Sequence, residues 1–197
     1  MKKLGLIFII LFSLLIINGV EYECSESEKY YRYMEDILIE NYDFVQNGVK
    51  LEYIINTSIN EEKDRIIELL KKDSKSNIDI VNNNIVCSDD ALTYNISLID
   101  GDKTKVEIII INNSEGFKST DLRQAVEEVK SNKCIDERIY YFSKVKINED
   151  TIEEAEISNG KVLKAEFIDG SKINLGQINY DTGKYMIIGT PIIFVTY

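Results

Sequence analysis

The sequence predicts an α+β fold in which helices cover one face of a single antiparallel sheet. Three observations carry that expectation. Apolar residues recur at helical spacing in some stretches and alternate at strand spacing in others, and the order helix, strand, helix, strand meander runs twice along the chain.

Ser25 can cap a first helix over residues 25–44, with Glu26 and Glu28 well placed in its first turn. Its apolar stripe is Tyr30, Met34, Ile37, Leu38 and Val45, and the neighbouring Tyr31 and Tyr33 read as amphipathic boundary residues rather than a sugar-stacking platform. After Gly48, strand alternation runs over residues 49–56. Ser58 with Glu61, or Asn60 alone, caps a second helix whose buried face is Ile66, Ile67, Leu69 and Leu70. A meander follows at 78–87, 92–99 and 104–111, the first segment interrupted at Asn82-Asn83-Asn84. Asp100-Gly101 marks a hairpin turn because glycine accepts positive φ at little cost. The run Ile108 to Ile111 is apolar on both faces, as a central strand is.

Ser119 or Thr120 caps a third helix, with Leu122, Ala125, Val126 and Val129 on one side and an end near Asn132. A strand over 138–147, a helical turn at 150–156 and strands at 162–168, 172–179 and 184–188 complete the second half, with turns at Asp169-Gly170 and Thr182-Gly183. Local echoes support the repeat: Leu98-Ile99-Asp100-Gly101 matches Phe167-Ile168-Asp169-Gly170, and Ser58 to Glu62 matches Lys146 to Asp150. The pseudo-repeats are therefore placed at about 25–112 and 119–197, within one domain spanning 21–197. A single proline, Pro191, leaves no proline-rich linker to divide it.

Met1-Lys2-Lys3, the apolar run from Leu4 to Ile17 and Asn18-Gly19 have the three parts of a secretory signal, so residues 1–20 are expected to be cleaved near Gly19 or kept as an N-terminal anchor. Cleavage is favoured because spanning helices usually need about 20 apolar residues. Cys24 is not a lipid-attachment cysteine, since Glu21, Tyr22 and Glu23 precede it. The expected localisation is extracytoplasmic, with membrane contact only through an uncleaved leader.

The formal charge is -11, and loss of Lys2 and Lys3 leaves 21 basic against 34 acidic residues, a net of -13. That balance argues against nucleic acid as partner, because phosphate binding needs a dense basic stripe. Histidine and tryptophan are absent. This excludes Ser-His-Asp and Cys-His catalysis, histidine-ligated zinc and the imidazole switch. Cys24, Cys87 and Cys134 allow one bridge and one free thiol, or no bridge, and Cys87 with Cys134 is the preferred pair if one forms. Their dispersion argues against a metal site, and Asp100-Gly101-Asp102 lacks the loop length and later glutamate of an EF-hand. No metal and no cofactor is expected.

The leader, the repeated element order and the tail Tyr185-Met186-Ile187-Ile188-Gly189-Thr190-Pro191-Ile192-Ile193 together resemble the YwmB family of spore-forming Gram-positive bacteria. The resemblance rests on element order over most of the chain and on specific residues only in that tail. It implies a TATA-box-binding-protein-like fold, with one curved antiparallel sheet of pseudo-two-fold symmetry. It implies no activity and no catalytic residues.

Alternation on the strand 138–147 puts Ile139, Tyr141, Val145 and Ile147 toward the core and Arg138, Tyr140, Phe142, Lys144 and Lys146 on the open face. The second set is an aromatic and basic ladder, read first as side chains that pack across strands for stability and second as a surface for an envelope protein or glycan, which Thr93, Asn95, Ser97 and Lys105 on neighbouring strands can complete. The expected function is a non-enzymatic binding module at the cell envelope. The alternatives are a carboxylate-dependent wall hydrolase, for which Asp89-Asp90, Glu127-Glu128 and Glu153-Glu154 supply acidic pairs, and a structural or assembly protein.

Overall fold

A computed structural model describes residues 26–72, 77–88, 91–148, 156–157, 160–166 and 172–193. The leader, Ser25, Cys24, the Asp169-Gly170 turn and nearly all of the helical turn expected at 150–156 lie outside the described residues. In chain order the elements are α1 (Glu26–Asn41), β1 (Asp43–Ile55), α2 (Ile59–Lys72), β2 (Asn77–Val81), β3 (Asn84–Ser88), β4 (Leu92–Ile99) and β5 (Thr104–Asn112). A 3-10 turn (Ser119–Leu122), α3 (Arg123–Val129), β6 (Asp136–Ile147), β7 (Glu156–Ile157), β8 (Gly160–Glu166), β9 (Lys172–Tyr180) and β10 (Gly183–Thr190) follow. The class is α+β with antiparallel strands, as the sequence predicts.

The described residues pack as two compact units, one of those within 45–143 and one of those within 26–44 and 144–193. This grouping differs from contiguous halves at 25–112 and 119–197. The first helix goes with the second meander, and the helix after the first meander stays with that meander.

In the 45–143 unit the strand order is β2-β3-β4-β5-β1, with β6 next to β1. Val49, Leu51, Tyr53 and Ile55 of β1, Val106, Ile108 and Ile110 of β5, and Tyr94, Ile96 and Leu98 of β4 are buried. They alternate along each strand, so they share one face, and α2 and α3 pack against that meander. Ile66 and Leu70 of α2 are fully buried, each contributing about 1.5–3 kcal/mol of apolar transfer. The helix starts where the sequence places it. Ser58 N donates to Glu61 Oε2 and Glu61 N donates to Ser58 Oγ, both at 3.3 Å, a reciprocal capping box.

Several local expectations shift. α1 stops at Asn41 instead of reaching Phe44, because Asn41 Nδ2 donates to the Ile37 carbonyl at 2.7 Å and satisfies an end group of the helix. Its buried positions are Glu28, Tyr31, Glu35 and Leu38: of the expected stripe Leu38 is buried, Tyr30, Met34 and Ile37 are only partly so, and Tyr31, expected at the boundary, is fully enclosed. Gly48 lies inside β1 rather than ahead of it. Asn82 holds the β2–β3 turn at φ 55, a left-handed conformation that asparagine enters more readily than most residues. Gly101 has no positive φ, and its turn is closed by Gly101 N donating to Asp100 Oδ1 at 3.1 Å. No disulfide joins Cys87 and Cys134. Cys87 faces the core opposite Tyr94, whereas Cys134 lies in the loop before β6 with its thiol directed to the Asp136 carbonyl at 3.3 Å.

In the other unit the strand order is β10-β9-β8-β7, and α1 packs on β10 and β9. The chain after β10 doubles back. Asn174 Nδ2 donates to the Pro191 carbonyl at 2.5 Å, Thr190 Oγ1 donates to the Lys172 carbonyl at 2.8 Å, and Ile193 sits over Gly176 and Gly189. A Cβ at Gly189 would lie 2.9 Å from the Ile193 Cα, so glycine is what allows the close approach.

Candidate functional site

The face of the 45–143 meander opposite α2 and α3 carries the even-numbered residues of β1 and the odd-numbered residues of β5 and β4. Cross-strand register sets Glu52 directly opposite Glu107, Lys50 opposite Ile109, and Lys105 opposite Ile54. Two carboxylates facing each other across a strand pair repel, so this register needs compensation. It comes from two lysines placed diagonally. Lys50 Nζ is 2.5 Å from Glu52 and 3.6 Å from Glu107, while Lys105 Nζ is 2.7 Å from Glu107 and 3.3 Å from Glu52. The four charges alternate in sign around a closed ring, and the ring is neutral.

Electrostatics follow from the ring. Partial burial acts to raise the Glu52 pKa, but hydrogen bonds and charge from Lys50 and Lys105 outweigh it and hold the carboxyl below its ordinary value. A hydrogen bond to Glu107, with help from Glu52, pushes the Lys105 ammonium up against the cost of its desolvation. Lys50 also lies 5.5 Å from the centroid of the Tyr140 ring, within cation–π range. Beside the ring of charges stand Asn95, opposite Ile109, and Ser97, opposite Glu107, both half-buried, with Thr93 next on the same strand. The surface is a fixed set of donors and acceptors with no net charge.

The expected ladder on β6 is not accessible in this form. Arg138 and Lys146 are exposed, but Tyr140, Phe142 and Lys144 are 8%, 0% and 6% exposed. Phe142 fills the gap left by the missing side chain of Gly48: a Cβ there would lie 2.5 Å from Phe142 Cε1 and would also collide with the Ile110 carbonyl. Lys144, in the other unit, has its ammonium 4.7 Å from the Tyr180 ring centroid and 4.5 Å from that of Tyr185. Desolvation lowers its pKa, and the charge interaction with Tyr185 only partly offsets this. The Lys146 stem packs over Gly183. The five ladder residues are thus divided between buried packing and separate exposed positions.

Lys50, Glu52 and Glu107 were not among the expected site residues. Their signal is present in the sequence as two Lys-x-Glu tripeptides, Lys50-Leu51-Glu52 and Lys105-Val106-Glu107. It becomes legible only once β1 and β5 are known to pair antiparallel in this register.

On the opposite face of β1, Glu62 is buried and accepts from Tyr53 Oη at 2.7 Å and from Arg65 Nε at 3.0 Å and Nη2 at 2.6 Å. Arg65 Nη2 also donates to the Val129 carbonyl at 2.7 Å, satisfying the last turn of α3. Burial, with the Glu62 hydrogen bond adding to it, holds the Tyr53 hydroxyl well above its ordinary range. This group ties α2, α3 and β1 together. Among the described residues no cluster of cysteine and carboxylate side chains has metal-ligand geometry, and no helix among them is long and apolar enough to cross a membrane.

Comparison with known proteins adds no relative: no protein-family model matches the chain, and no curated protein sequence matches it.

Proposed function

We propose that the chain is a non-enzymatic binding module of the cell envelope, exported by its leader, and that it uses the polar face of the 45–143 meander to hold a neutral, hydrogen-bonding partner, protein or glycan. The observation that carries this reading is the closed ring of Lys50, Glu52, Lys105 and Glu107 beside Asn95 and Ser97. Side chains locked by mutual ion pairs lose little further freedom when a partner arrives, which is the physical basis of preorganised binding. A net charge of -11 supports a partner other than nucleic acid.

The reading also places the chain in the YwmB family with a TATA-box-binding-protein-like fold. The order α1, β1, α2 and a four-strand meander, followed by α3, β6 and a second four-strand meander, supports it. So does the built role of the tail, in which the glycine and proline of Gly189-Thr190-Pro191 let Ile193 fold back onto the sheet.

The wall-hydrolase alternative gains nothing at this face. A glycosidase needs two carboxyl groups free to meet a sugar, and here both Glu52 and Glu107 are engaged by Lys50 and Lys105. The test is recovery of partners from an envelope extract by the wild-type chain, by Asn95→Arg with Ser97→Arg, and by Glu128→Arg as a control on the exposed side of α3. Loss of a partner in the double variant and its retention in the control is the expected result. Equal recovery by all three would sink the proposal.

A further inference from the structure

The meander ends in an edge whose chemistry is unusually uniform. β2 is the outermost strand of its unit, and among the described residues nothing pairs with its outer side. The hairpin Asn77 to Ser88 contains no lysine, arginine or proline, and Asp79 is its one charged residue. Protected edges normally carry lysine, proline or a bulge. Here Ile80 is 43% exposed, Val81 66% and Val86 41%.

Backbone geometry says which groups are free to pair. The two-residue turn makes Val81 and Asn84 the hydrogen-bonded pair nearest the turn, so Asp79 with Val86 is the next such pair. Leu98 N donates to the Asn83 carbonyl at 2.9 Å, which sets the odd residues of β3 toward β4 and agrees with that phase. Ile78 and Ile80 therefore turn their N–H and C=O groups outward. A strand added there would bond to both, and its middle residue would face Asp79 in a non-hydrogen-bonded pair, where side chains come closest.

We propose that β2 accepts an extended peptide segment with a basic residue flanked by two apolar ones, extending the meander by one strand. Apolar side chains would lie against Ile78 and Ile80, and the cation would meet Asp79 and face Val81 and Val86 with its stem. Charge complementarity selects this occupant over a second copy of the chain. Two copies paired on both outward residues of each β2 would put Asp79 opposite Asp79, and both carry a large negative net charge. This inference stands apart from the polar face, since it uses a different surface and different groups.

The experiment is NMR titration of the isotope-labelled full chain with the blocked peptide Thr-Val-Lys-Val-Thr and with its counterpart carrying glutamate for lysine. The Ile78 and Ile80 amides are expected to shift and to exchange more slowly with the lysine peptide, which should bind about fivefold more tightly than the glutamate peptide. Asp79→Lys, an exposed substitution, should reverse that preference. Equal binding of both peptides, shifts confined to other strands, or no reversal in Asp79→Lys would overturn the proposal. So would a concentration-dependent mass with the same Ile78 and Ile80 shifts in the absence of peptide, which would assign the edge to a second copy.

Discussion

β1 lies between two charged groups, one on each of its faces, and the two are built on opposite terms: Glu62 and Arg65 of α2 meet Tyr53 on one side, and Lys50 and Glu52 join Lys105 and Glu107 on the other. On the helix-covered face Glu62 is buried, and its charge is met by Arg65 and the Tyr53 hydroxyl in fixed geometry. On the other face four partly exposed charges, from 16% for Lys50 to 38% for Lys105, share their partners around a ring, so each has a second partner if one is removed. Burying a charge costs several kcal/mol unless it is paired, whereas an exposed ion pair contributes about 0–1 kcal/mol. The same strand thus separates charge used to hold elements together from charge displayed on a surface.

The largest effect tests how far the displayed face is open. Phe142→Ala should cost about 3–5 kcal/mol in urea unfolding, because the ring is fully buried and fills the space above Gly48. A cost below about 1 kcal/mol would mean that this end of the face is solvent-exposed, and the contrast between faces would extend along all of β1.

Glu62→Gln comes next, at about 2–4 kcal/mol by the same measurement. The amide keeps the shape but leaves the Arg65 guanidinium without its counter-ion, and the part of Arg65 that reaches solvent keeps the cost below that of a fully enclosed charge. Glu107→Gln on the other face should cost under about 1 kcal/mol. Equal costs for the two would remove the distinction between the faces.

Tyr53→Phe is smaller, about 1–2 kcal/mol for one buried hydrogen bond to a charged acceptor. It also carries a pH signature. An unfolded tyrosine ionises near 10.0, and burial beside Glu62 holds the folded one well above this. Stability from Tyr53 is therefore fully present below that value and lost as pH rises past it. The substitution should flatten the alkaline limb of the unfolding midpoint, and an unchanged limb would show that Tyr53 does not titrate with unfolding.

What the sequence reveals of this contrast divides by range. The Ser58–Glu61 capping box, the strand Leu92 to Ile99 and the central position of Ile108 to Ile111 are legible because each depends on neighbours within a few residues. The burial of Phe142 is not, because it depends on Gly48, which lies on the other side of the cross-strand contact. Glu35 is fully buried on α1, and reading apolar residues alone rotates that helix by about one position. Aromatic and basic residues alternate on β6 and point to a polar face there, yet the accessible charged face lies on β1 and β5, where lysine and glutamate recur two residues apart. Local patterns mark a face; only register says which side chains meet across it.

The smallest effect is the most specific to the ring. Glu52 is held below its ordinary value of 4.5, so the stability it contributes is present above that pH and lost as pH falls through its folded value. Lys105 is raised above 10.5, so its contribution is present below that pH and lost as pH rises through its folded value. The ring should therefore act at constant strength between about pH 5 and pH 10 and weaken on both sides. Glu52→Gln should lower the unfolding free energy by under about 1 kcal/mol at neutral pH, with a difference that shrinks toward acid and in molar salt. The Glu62→Gln difference, protected by burial, should persist in salt. If salt erased both alike, the buried group would be solvent-screened and the two faces of β1 would be electrostatically equivalent.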